Sequence, residues 1–235
     1  MWSSPEAETA RREIQRVATH ILARARKAAD GEISLRVGLT GLATPAFGAD
    51  REVLRLAGGH LIRETRVGGE LRSRAVRVVG RTLAELADFA AVDLDADVDF
   101  GHDAPGVGDR MSPLCFDEAA AEALLGWYQL GAKALDRVII GASDPSVVQL
   151  WPEHFDVAID LETASGRCNL GAAPPDTTSD QPYLYVGPHG EVRTGDPAFW
   201  NAPFGALLSA ERVHRDGDPV AAAVSFFRYG LRLLG

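Results

Sequence analysis

The residues best suited to chemistry lie between Trp151 and Glu162, read as Trp151, Pro152, Glu153, His154, Phe155, Asp156, Val157, Ala158, Ile159, Asp160, Leu161 and Glu162. A period of two predicts a strand with Phe155, Val157, Ile159 and Leu161 on its core face. His154, Asp156, Asp160 and Glu162 then share the other face. An imidazole beside a carboxylate suits a general base, the carboxylate orienting the ring and raising its basicity. The same pair with a distant histidine, His189 or His102, would make a two-histidine, one-carboxylate metal set. Arg193, shortly after His189, would suit an oxo-acid carboxylate. The plainer alternative is a structural hydrogen bond at a strand start.

A second group is aromatic and polar. Trp151, Asn169, Tyr183, Tyr185, Trp200 and Asn201, with His189, Phe199 and Phe204, fall within one stretch of chain. Rings with amides are what a small-molecule cleft uses to bind and orient a ligand. The competing role is core filling. A third group, Asp93, Asp95, Asp97 and Asp99, alternates with Leu94, Ala96 and Val98. Clustered oxygens suit magnesium or calcium, but neither the EF-hand nor the phosphatase spacing is met. An acidic, solvated connector is the simpler reading. No Gly-x-Ser-x-Gly and no activating cysteine motif is present.

The elements that must position these residues are legible in outline. Ser4, Pro5 and Glu6 start a helix, and Ile14, Val17, Ile21 and Leu22 continue it to Gly31. Residues 33–39, 52–57, 60–67 and 71–79 read as strands, with Gly58-Gly59 and Gly68-Gly69 as hairpin turns. Ile14, Val17 and Ile21 should pack on this meander. A short helix is expected near Leu83–Phe89, a loop over 101–113 and a long helix over Asp117–Arg137. Strands return over Val147–Tyr185, broken by a loop at Pro174–Asp180. A last helix begins at Asp218-Pro219 and carries Phe227, Leu231 and Leu234. The pattern is α+β: antiparallel sheets flanked by N-terminal, central and C-terminal helices. Residues 1–110 are expected to form a helix-plus-meander lobe and residues 111–235 an α+β lobe.

Composition narrows the function classes. Hydrophobic residues at 46% and charged residues at 24% describe an ordinary globular chain. No apolar run approaches the roughly 20 residues of a membrane span, and no signal-peptide pattern opens the chain. Cys115 and Cys168 lack metal-ligand spacing, which fits a reduced, cytoplasmic protein. Two lysines against 22 arginines suggest a high-GC bacterial source. Residues 1–81 carry 15 Lys/Arg and 9 Asp/Glu; the remainder carries 9 and 24. No nucleic-acid motif or stacking aromatic accompanies the arginines, so no nucleic acid is expected as partner.

Leu150–Asp156, Asn169-Leu170-Gly171, Pro182–Val186 and Trp200–Ala206 together resemble a family of uncharacterised bacterial proteins of actinobacterial type. Its members carry a Trp-Pro-x-His-Phe-Asp strand and a Pro-Tyr-x-Tyr strand. The resemblance covers about Gln149 to the C-terminus and implies that Trp151, His154 and Asp156 act as one unit. It implies no activity or cofactor. Two function classes follow. One is a binder of a small molecule near His154, Asp156, Tyr183 and Tyr185, in its strongest form a metal-dependent enzyme. The other is a non-catalytic interaction module in which His154 and Asp156 brace the fold.

Overall fold

Ser4 caps the first helix, its hydroxyl accepting from the Ala7 amide at 3.3 Å, and Pro5 fits the first helical position. The computed structural model describes residues 2–101, 103–191, 193–215 and 217–235. In it α1 (Pro5–Val17) runs into a π-helical segment, Ala18–Ala23, and on into α2 (Arg24–Asp30), which ends at a left-handed Gly31. All six residues of the π segment are buried. Ile14, Val17 and Ile21 are at most 2% exposed, as their spacing requires.

The residues group into two units, each described by itself. The first holds Ser3–Gly126 and Leu150–Phe155; the second holds Trp2, Trp127–Gln149 and Asp156–Gly235. The division therefore falls inside the long helix and not near residue 110, and it returns the Trp-Pro-Glu-His-Phe segment to the first unit.

The first unit contains an antiparallel meander of β1 (Arg36–Gly38), β2 (Gly41–Ala43), β3 (Val53–Ala57), β4 (His60–Val67) and β5 (Glu70–Arg77), in that order. The expected strand over 33–39 shortens to β1, and β2 is additional. Both have only three residues, too few for a period to register. Gly68 and Gly69 take φ of +61° and +88°, the all-positive turn that matches strand twist in a two-residue hairpin. The π segment lies against β3 and against α3 (Leu83–Ala90). At the start of α3, Thr82 and Glu85 form a reciprocal capping box.

A long helix, α4 (Glu118–Val138), follows an Asp117 cap that accepts from the Ala120 amide at 2.7 Å. The second sheet is also an antiparallel meander, ordered β10-β9-β8-β7-β6, of β6 (Gln149–Trp151), β7 (Asp156–Thr163), β8 (Gly166–Ala173), β9 (Tyr183–Pro188) and β10 (Ala206–Ser209). Val157, Ile159, Leu161, Cys168, Leu170, Ala172, Leu184 and Val186 form its buried inner face. After the short α5 (Ala210–Val213), α6 (Pro219–Leu234) is capped by Asp218, which accepts from the Val220 and Ala221 amides at 3.0 Å. Phe227 and Leu234 of α6 are buried. The chain is thus α+β, with the three expected helices. Among the described residues no helix is long and apolar enough to cross a membrane.

Glycine seats both large helices of the second unit. A Cβ at Gly131 of α4 would sit 2.5 Å from the Ala172 Cβ, and one at Gly230 of α6 would sit 2.9 Å from Val186. Gly126, on α4 in the first unit, meets nothing within 4 Å. Gly131→Val should therefore lower the melting temperature, because overpacking costs about 1–3 kcal/mol. Gly126→Ala should raise it, the helix-propensity gain being up to about 1 kcal/mol. Thermal denaturation of the two variants reads this directly.

Candidate functional site

Trp151 ends β6, and residues 152–155 form a turn. Leu150 exchanges two 2.8 Å backbone bonds with Leu35, and the Phe155 amide donates back to the Trp151 carbonyl at 2.7 Å. Gln15 donates to the Pro152 and Glu153 carbonyls at 3.2 Å, and Thr19 to Pro152 at 3.3 Å. Phe155 is fully buried with φ +56°, a left-handed conformation that a bulky residue holds only where its surroundings dictate it. The strand begins only at Asp156. The expected alternation through His154 therefore fails: a left-handed residue stands between His154 and Asp156, so period two does not relate them. His154 Nδ1 lies 3.2 Å from Asp103 Oδ2, both side chains about half exposed. Trp151 is half-buried in the same unit.

Asp156 is 7% exposed and takes its partner from the second sheet. Ala158, Gly171 and Tyr185 are in register across β7, β8 and β9. A Cβ at Gly171 would come within 2.4 Å of the Tyr185 hydroxyl, so glycine lets the phenol lie flat across β8. Its hydroxyl then donates to Asp156 Oδ2 at 2.5 Å. Tyr183 donates to Asp176 Oδ2 at 2.6 Å, and Phe204 stacks on Tyr183 at 6.3 Å and meets Tyr185 edge-on at 6.2 Å. Burial and the Asp156 charge hold the Tyr185 phenol well above its ordinary pKa. Burial and the bond to Asp176 raise Tyr183 too. Both remain protonated donors at neutral pH, serving as braces to carboxylates and not as bases.

The remaining expected residues have separate tasks. His189 Nε2 lies 2.9 Å from Asp160 Oδ2, and Arg167 bonds both Asp160 and, at 2.8 Å, Asp144. Trp200 Nε1 donates to the Thr194 carbonyl at 2.9 Å. The Asn201 amide accepts from the Leu207 amide at 2.8 Å and donates to the Leu207 carbonyl at 3.1 Å, standing in for a strand neighbour. Asn169 is exposed on β8. His102 lies outside the described residues. Among the described residues no group of three or more His, Cys, Asp or Glu is gathered to hold a metal ion. Within its own unit each member of the expected set has a partner: His154 has Asp103, Asp156 has Tyr185 and His189 has Asp160. The aspartates 93, 95, 97 and 99 are exposed, in keeping with an acidic connector.

A cavity arises elsewhere, in the first unit. It has a volume of about 550 Å³ and lies between α1 and the 105–115 segment. Arg12, Glu13, Arg16, Ser112, Pro113 and Cys115 contribute to its wall. Glu13, 7% exposed, holds Arg16 Nη1 at 2.6 Å and Arg12 Nε at 3.2 Å. The opposite wall is pinned by one row of helical side chains. Arg16 donates to the Val107 carbonyl at 2.7 and 3.2 Å and to the Asp109 carbonyl at 3.1 Å. His20 Nε2 is 2.8 Å from the Pro105 carbonyl, and Arg24 donates to the carbonyls of Ala96 at 2.7 Å and Asp93 at 3.3 Å.

Residues spaced by four drift around an α-helix of 3.6 residues per turn. The π segment Ala18–Ala23, which contains His20 and lies between Arg16 and Arg24, holds more residues per turn and reverses that drift. The three donors therefore stay in line with one loop. A carbonyl only accepts, so His20 carries its proton on Nε2. Nδ1 is buried without a hydrogen-bond partner among the described residues. Burial pushes the His20 pKa down, the charges of Arg24 and Arg16 adding to the effect. This row was missed in the sequence because Arg16, His20 and Arg24 interrupt a stripe read as apolar. Their common spacing of four was the available signal.

No family model, no curated protein and no solved structure matches the chain.

Tyr185→Phe should destabilise the protein by about 1–3 kcal/mol, since buried Asp156 loses its phenol donor; a chemical denaturation curve measures it. His20 gives a pH signature. Its folded pKa is lowered, so the unfolded chain binds the extra proton first. Stability is complete above the unfolded pKa of about 6.5 and declines as pH falls below it. His20→Gln, which keeps a donor for Pro105 but does not titrate, should flatten the decline in melting temperature between pH 7 and pH 5.

Proposed function

We propose that this chain is a small-molecule-binding protein whose ligand occupies the cavity between α1 and the 105–115 segment. This keeps the class expected from the sequence and moves the site. One observation carries the reading: a cavity of about 550 Å³, within the size range of small-molecule sites, with one wall carrying the Glu13–Arg16 ion pair and the other held by Arg16 and His20 through the Pro105, Val107 and Asp109 carbonyls. Such fixing lowers the ordering cost of binding.

The chemistry of the wall favours a small polar molecule carrying a carboxylate. Arg12 is 57% exposed and spends only its Nε on Glu13. Its terminal nitrogens present a planar fork, the geometry that recognises carboxylates. Ser112 and Cys115 add short polar groups, and Pro105 and Pro113 add rigid apolar surface. Asp156, Tyr183, Tyr185 and Asn201 serve in this reading as the frame of the second unit. The alternative class, a non-catalytic interaction module, draws support from a different place, the open edge of the first sheet.

Cys115 offers the test. It is exposed, whereas burial pushes the Cys168 thiol up to about 12. Iodoacetamide at pH 8 should therefore alkylate Cys115 alone, as intact mass spectrometry will count. Succinate, citrate or glutamate at millimolar concentration should slow that reaction and raise the melting temperature. Arg12→Ala should abolish both effects without changing the ligand-free melting temperature. Alkylation at the same rate with every carboxylate, and no thermal shift, would remove the proposal.

A further inference from the structure

We infer that β5 is a docking edge that takes an extended acidic segment of a partner protein as a sixth strand of the first sheet. The inference is independent of the cavity. β5 is the outermost strand of the order β1 to β5. Seven of its eight residues, Glu70 to Ala75 and Arg77, are exposed, on both faces of the sheet. It contains no proline, and its register with β4 runs unbroken from Val67↔Glu70 to His60↔Arg77. Edges are closed by charged side chains, a proline, a bulge or a covering element; β5 has no proline and an unbroken register with β4, and its protection is charge alone, chiefly arginine.

The hairpin phase shows which backbone groups face outward. The Val78 amide donates to the Gly59 carbonyl at 2.9 Å. Hydrogen-bonded and non-bonded pairs alternate along an antiparallel ladder. Arg72, Arg74 and Val76 therefore turn their backbone groups to β4. Leu71, Ser73, Ala75 and Arg77 turn theirs to solvent, a row of amides and carbonyls ready to pair with an added strand.

Charge selects the occupant. From His60 to Arg77 there are five arginines and two glutamates. Arg63 and Arg74 stand directly opposite each other, an unfavourable like-charge pair. Arg63 is compensated by Glu52 at 2.9 Å. Arg74 lies over the Phe89 ring at 5.6 Å. Arg72 shares its face with Arg74, and neither it nor Arg66 has an ion-pair partner among the described residues. A strand with carboxylates opposite Arg72 and Arg74, and small or apolar residues opposite Leu71, Ser73 and Ala75, answers both faces. A second copy of β5 would set arginine against arginine across the seam. A nucleic-acid strand would find no open ring to stack on, since Phe89 lies under Arg74.

The experiment is fluorescence anisotropy with the full chain and a labelled, end-capped heptapeptide of alternating valine and glutamate. Its counterpart has the same charge and a central proline. Ala75→Pro removes one outward amide and leaves the β4 ladder intact. Arg72→Glu is the second variant, and the melting temperature of each confirms folding. Binding of the alternating peptide is expected, weakened tenfold or more in each variant, with the proline-interrupted peptide failing to bind. Four results would overturn the inference. One is equal binding of both peptides, which is charge alone. Another is no binding, which leaves the arginines as guards against aggregation. The others are tighter binding of oligothymidylate, and a dimer in sedimentation that Ala75→Pro dissociates.

Discussion

The first unit depends on one helical row donating to the backbone of one loop. Arg16, His20 and Arg24 together meet carbonyls of Asp93, Ala96, Pro105, Val107 and Asp109. The loop they hold is rich in Gly, Pro and Asp, and its described residues form no helix or strand that would satisfy those groups. An unpaired buried carbonyl is costly, and charge-assisted donors are stronger than neutral ones. The buried row replaces what a sheet or helix would otherwise supply. The aspartates 93, 97 and 99 of the same loop are exposed, while Asp95 pairs with Arg110 and Asp103 with His154.

The second unit solves a different problem, how to place a carboxylate on a largely buried strand start. The flat approach of Tyr185 across Gly171 delivers a phenol to Asp156 over an intervening strand. Phe204 packs its ring against both tyrosines. Asn201 completes the same sheet by pairing with Leu207 as a backbone would. These polar residues act on the frame, and residues that look reactive in sequence are consumed by it. At the cavity, in contrast, Arg12 gives Glu13 only its Nε among the described residues.

What was legible in the sequence was local. Ser4-Pro5, Gly68-Gly69 and Asp218-Pro219 announce their elements because a cap or a positive φ is decided by two or three adjacent residues. On α6, Phe227 and Leu234 are buried as their period requires, while Leu231 is only half-buried. The start of β7 did not follow, because a left-handed Phe155 resets the alternation just where the period-two reading depended on it. The π segment was hidden as well. Its apolar residues keep a helical texture, and the change in turn shows only in how Arg16, His20 and Arg24 line up on a distant loop. Tyr183 and Tyr185 stand on β9, with β8 between them and the strand of Asp156. Their binding role was an inference from residue type, and residue type does not say that each hydroxyl already has a carboxylate.

The central claim is that the helical row holds the loop that walls the cavity. Hydrogen–deuterium exchange of Arg16→Met against the unmodified protein tests it most directly. The account predicts faster exchange of the amides over 103–111, with the amides of β7 and β8 unchanged. Unchanged exchange over 103–111 would contradict it, because the loop would then be held by something other than the row.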